Sequence, residues 1–150
     1  MKPLLVLLIS FVLTLLVLRF ITRDWNMALA GRIAMSIMLA FTAIAHFAFA
    51  EGMTAMIPSF LPMKEQLVTI TGVMEFLFAI ALLLPNYRTV TGWLLIAFFL
   101  AILPANIKAS LEHINYQTGT TDGPGLMYLW FRIPLQLFFI FWVYFSAVKS

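Results

Sequence analysis

Apolar runs too long for the core of a small soluble domain set the limits on this chain. Five follow one another: Leu4 to Leu18, Ile33 to Ala50, about Leu67 to Leu84, Val90 to about Ile107, and about Leu126 to Val148. As helices rising about 1.5 Å per residue, several are long enough to span roughly 30 Å of hydrocarbon. A chain in hydrocarbon must satisfy its own backbone N–H and C=O groups, which continuous helices do. The expectation is an all-α membrane protein with five spans and a single transmembrane domain over residues 1–150.

Composition supports this. Hydrophobic residues make up 63% of the chain and charged residues 10%, against roughly a quarter charged in soluble domains. The net charge of +3 comes from basic residues scattered at the ends of the runs. There they orient a membrane protein and form no nucleic-acid surface. With no cysteine, disulfide exchange, thiolate nucleophiles and thiolate metal sites are excluded. Two histidines, His46 and His113, make no dense metal-ligand set, and no metal site is expected.

The first run is preceded by Lys2 and closed by Arg19, Arg23 and Asp24. Ala28-Leu29-Ala30 resembles a signal-peptide cleavage site, but it lies beyond that charged cluster, too far from the run for normal processing. The run reads as a retained helix, continuing to Ile21. Arg32 opens the second run, which ends at Glu51. Gly52 to Met63 follows, uncharged, with Pro58 and Pro62 disfavouring a continuous helix. It reads as an interfacial or re-entrant segment able to act as a lid. Pro85-Asn86 ends the third helix, and Ser110 to Gly125 is a polar loop. Arg19, Arg23, Arg32, Arg88 and Lys149 fall on one side in alternation, and Lys2, Lys64, Lys108 and Arg132 on the other. The larger set marks the cytoplasmic side, with the amino terminus outside and the carboxyl terminus inside.

The third helix carries Glu75 within apolar sequence. A lone glutamate in hydrocarbon costs roughly 2 to 3 kcal/mol, so it should face protein or trapped water. Gly72, Glu75 and Ala79 share one helical face, as do Ala43, His46 and Ala50. By helical rise Glu75 lies about 12 Å inside its helix, with His46 near the same outer end of the second. Asn106 closes the fourth helix there, and Arg132 and Gln136, at i and i+4, share a face in the outer half of the fifth. His46, Glu75, Asn106, Arg132 and Gln136 are therefore the candidate ligand-binding residues. In this polar cluster Glu75 and Arg132 would neutralise one another and the amides and His46 would complete the hydrogen bonds.

Each has a plainer reading. Glu75 and Arg132 can form a structural ion pair, or Arg132 can snorkel to the interface. Asn106 and Gln136 are more often interhelical hydrogen-bond donors. Pro104 and Pro134 read as local kinks, and His113 as solvated.

At these residues the sequence resembles the DoxX-like family of small bacterial membrane proteins. The matching pieces are Ala45-His46-Phe47, Ile57-Pro58-Ser59-Phe60-Leu61-Pro62, Thr71-Gly72 with Glu75, Leu82-Leu83-Leu84-Pro85, Pro104-Ala105-Asn106-Ile107 and Arg132-Ile133-Pro134-Leu135-Gln136. The resemblance implies a DoxX-like four-helix bundle core, residues 31–150, to which residues 1–30 add an N-terminal helix and cytoplasmic connection. It also implies a bacterial inner membrane and a redox or stress-related system. Related redox-associated members use cysteines, and this chain has none.

Three functions follow. The first is a binding or accessory subunit whose pocket holds a quinone or a bound lipid head group, with no covalent cofactor, partnered by membrane lipid and by another membrane subunit or a homo-oligomer. The second is a membrane-embedded enzyme using Glu75 or His46 as acid or base on a lipophilic substrate. The third is an oligomeric transport component or a purely structural bundle. Transport by a single copy is disfavoured, since Ala79 to Leu84 and Leu94 to Phe99 offer almost no polar path.

Overall fold

A computed structural model describes residues 2–50, 53–54, 57, 60–111 and 126–149. The helices are α1 (Lys2–Thr22), α2 (Met27–Ala48), α3 (Lys64–Leu82), α4 (Arg88–Leu111) and α5 (Leu126–Val143), and α5 runs on into a π-helical turn, Tyr144–Val148. There is no strand among the described residues. Four helices are long and apolar enough to cross a membrane: Pro3–Thr22, Met27–Ala48, Lys64–Leu82 and Trp130–Val148. The apolar part of α4, Arg88–Pro104, is shorter. The chain is an all-helical, membrane-type protein.

Two starts differ from expectation. α2 begins at Met27 rather than Ile33, because Asn26 caps it by accepting from the Leu29 amide at 3.0 Å. Arg32 therefore sits inside the helix instead of opening it. α3 begins at Lys64, directly after Met63, whose φ of 55° turns the chain through the left-handed region. Pro104 and Pro134 both lie within helices, which a bundle in hydrocarbon tolerates where neighbours supply the lost bonds.

α2 is the hub. It packs most extensively on α3, then on α1, and it also meets α5 and the π-helical turn. α4 contacts α3, α5 and that turn, so α2, α3, α4 and α5 close a ring with α1 laid against α2. The core between them includes Met38, Leu39, Ala79, Leu95, Phe99 and Phe139. Leu7 is the one buried residue among those described in α1. Leu4, Val6 and Phe11 pack partly buried against the core, while others, such as Leu13 and Phe20, are exposed, as suits a surface that faces lipid tails.

Two glycines bring helices onto the π-helical turn. A Cβ at Gly31 would lie 2.9 Å from the Ser146 Cβ, and one at Gly92 would lie 2.7 Å from a Val148 methyl and 3.2 Å from the Ala147 Cβ. Such close approach is how apolar helices gain packing in the absence of a hydrophobic force between them. Side chains then close the junction: Trp142 Nε1 donates to the Gly31 carbonyl (3.0 Å), Arg32 Nη1 to the Ser146 carbonyl (3.0 Å), and Ser146 Oγ to the Trp142 carbonyl (2.6 Å).

Candidate ligand site at Glu75

Pairing between α2 and α3 builds the site. Gly72 lies against His46, where a Cβ would sit 2.9 Å from the His46 Cβ and 3.3 Å from the Phe47 ring. One turn along, Glu75 on α3 meets Thr42 on α2. Numbers rise on one helix as they fall on the other, so the two are antiparallel, and His46 and Thr42 at i and i−4 share the facing stripe. Glycine at position 72 is what lets α3 come close enough for this.

Glu75 is 4% exposed. Thr42 Oγ1 stands 3.1 Å from its Oε2, and His46 Nδ1 stands 3.2 Å from the same oxygen. His46 Nδ1 is also 3.0 Å from the Thr42 carbonyl, which can only accept, so that nitrogen carries a proton and shares it between carbonyl and carboxylate. The Thr42 hydroxyl has a second acceptor, the Leu39 carbonyl at 3.0 Å. It has one proton to give. Turned to Glu75 it serves a carboxylate, and turned to Leu39 it leaves its lone pair for a carboxylic acid. The group can thus hold or release a proton with only an O–H rotation. Its edge is reachable at His46, whose side chain is 15% exposed against 5% for that of Glu75.

The other candidates fall differently. Gln136 is buried and donates through Nε2 to the Phe99 carbonyl at 2.8 Å, joining α5 to α4. Its Oε1 is buried without a hydrogen-bond partner among the described residues. Counting from the Gly31–Ser146 contact, ten residues back along α5 and eleven along α2, roughly 15 Å of rise each, put Gln136 near the level of Thr42. Depth is shared; direct contact is not what the described bonds show. Arg132 is half-buried and engaged in an interaction of its own. Thr42 and His46 are the partners that the described bonds give Glu75, as α3 packs chiefly on α2. Asn106 lies in α4, and its side chain is outside the described residues. Residues 52, 55–56 and 58–59 of the Gly52 to Met63 segment are outside them as well, although Lys108 Nζ reaches the Ile57 carbonyl at 2.6 Å and ties this segment to α4.

Thr42 is the residue that sequence reasoning left unassigned. Its position one turn before His46, on the same face, was the available signal. Among the described residues no group of three His, Asp or Glu could hold a metal ion. Among the described residues two shallow, open apolar grooves flank α1: one of about 390 Å³ includes Leu5, Ile9 and Phe41, the other of about 320 Å³ includes Phe11, Phe141 and Ser146. Neither reaches Glu75.

A family model described as a domain of unknown function, DUF8561, matches residues 35–147, from within α2 to the π-helical turn. No curated protein and no solved structure matches the chain. The DoxX-like resemblance rests on its motifs alone.

Proposed function

The chain belongs to DUF8561, a family of unknown function, and from the chemistry of its own site we propose that it is an integral membrane binding or accessory protein. In this reading Glu75, His46 and Thr42 hold the polar head of a lipophilic molecule, a quinone or a lipid head group. The observation that carries it is a buried carboxylate bonded to a histidine whose outer edge stays accessible. Ionisable groups in hydrocarbon are costly, and α2 and α3 already have Gly72 to pack them closely, so fastening alone gives little reason to keep the pair. Arg132, Asn106 and Gln136, at the same end by sequence, complete the proposed pocket, with α1 an addition to the ring of α2 to α5.

The setting rests on the DoxX-like motifs and the distribution of basic residues. It is a bacterial inner membrane, amino terminus outside, and a redox or stress-related assembly with another subunit or a second copy. One observation favours enzymatic action instead: the 3.2 Å His46–Glu75 contact is a proton-transfer pair.

Mass spectrometry of small molecules co-purifying in mild detergent tests the proposal, with Glu75→Gln and Arg132→Ala alongside the wild type. The expected result is one quinone or lipid species present in the wild type and lost in both variants. Equal, unselective lipid in all three would refute ligand binding here.

A further inference from the structure

Gln136 holds an acceptor that the fold leaves unused. Its Nε2 donates to the Phe99 carbonyl at 2.8 Å, and this fixes which end of the amide is which, since two acceptors would repel there. Oε1 is the end turned away from that carbonyl. The residue is 2% exposed, and Oε1 has no hydrogen-bond partner among the described residues. Arg132, one turn earlier on α5, has an interaction of its own and does not supply one. Buried acceptors are rarely left without a donor, because the water they gave up is then replaced by nothing.

This acceptor and the Glu75 group face one interior. Gln136 shares its stripe of α5 with Phe139 and Val143, and Glu75 shares its stripe of α3 with Ala79 and Leu82, all four in the core between the helices. Thr42 follows Met35 and Leu39 on α2 in the same way, and Phe99 is a core residue of α4. Since Gln136 and Thr42 lie at nearly one depth, all four helices of the ring meet at this level. Acceptors prevail there. Besides Gln136 Oε1 there is the Glu75 carboxyl group, and His46 carries its proton on Nδ1, so a neutral imidazole presents a lone pair at Nε2.

We infer that the Glu75 site takes its lipophilic ligand by a hydroxyl that donates to Gln136 Oε1. The head group is that of a quinol or of an aliphatic lipid alcohol. A quinone, whose oxygens only accept, is the poorer fit. The inference rests on the ligand-binding function proposed for Glu75 and makes Gln136 the residue that sets its specificity. The head group enters by the seam between α3 and α4, which meet much less extensively than α2 and α3.

Three probes with one tail test this: decylhydroquinone, its dimethyl ether and decylbenzoquinone. Each is titrated anaerobically into the full chain in mild detergent and followed by calorimetry. The wild type should bind the hydroquinone about tenfold or more tighter than the ether or the quinone, which leave the buried acceptor unpaired. In Gln136→Leu that preference should shrink to within about threefold. Should this variant fail to fold, the wild-type comparison decides alone. Decanol separates the two sources of the hydroxyl. Bound as tightly as the hydroquinone, it assigns a lipid alcohol; bound far more weakly, it assigns a quinol. Ether or quinone bound as tightly as the hydroquinone, or an undiminished preference in folded Gln136→Leu, would overturn the inference and leave the ligand site standing. Binding of none of the probes, or binding unchanged in Glu75→Gln, would refute the ligand site itself and the inference with it.

Discussion

The two ends of the bundle use polar groups in opposite ways. Around the π-helical turn, Arg32, Trp142 and Ser146 all spend hydrogen bonds on backbone carbonyls, and Gly31 and Gly92 let the helices touch. Around Glu75, side chains meet side chains, and the members are a carboxylate, an imidazole and a hydroxyl that can exchange a proton. Bonds to carbonyls fasten a fold. A buried ionisable pair is weak evidence for stability, since neutral replacements of similar shape are often tolerated. The same few helices therefore carry a structural end and a chemical end.

Substitutions separate the two. The largest loss should come from Gly92→Val, which puts carbon against Val148 and Ala147 where there is no room. Overpacking of this kind should cost about 2 to 3 kcal/mol in reversible unfolding from mixed micelles, and an unchanged stability would remove the distinction between the ends. Gly72→Ala sharpens the comparison, because packing and chemistry coincide there. Its new methyl presses on the His46 Cβ, so a stability loss of about 1 to 2 kcal/mol should come with loss of bound ligand. Trp142→Phe removes the donor to the Gly31 carbonyl and should cost about 1 kcal/mol by the same unfolding measurement, with ligand content unchanged. Thr42→Val should be the mildest for the fold, about 0.6 kcal/mol, yet its ligand content by mass spectrometry should fall well below that of Trp142→Phe.

Much of this architecture was readable in advance, for physical reasons. Hydrocarbon demands long apolar helices, so the five runs located α1 to α5. The start of α2 was misplaced because Arg32 looked like a boundary charge, whereas the Asn26 cap sets the helix end. Glu75 and His46 stood out because their chemistry is costly in an apolar helix, and the small-residue spacing around Gly72 named their shared seam. What charge alone could not give was the neighbour. Coulomb's law pointed to Arg132 for Glu75, and helix adjacency added Thr42 and His46, which charge does not single out. Nothing in the sequence signalled the π-helical turn, whose register depends on how α2 and α4 close onto it through Gly31 and Gly92.

The most direct test of a chemical rather than structural role for Glu75 is paired on one preparation: unfolding stability and co-purifying ligand of Glu75→Gln against wild type. The account predicts a stability within about 1 kcal/mol of wild type, since an amide oxygen of the same shape still accepts from Thr42 and His46, and loss of the bound species. A drop of about 3 kcal/mol or more with ligand content unchanged would show that Glu75 only fastens α2 to α3, and would contradict it.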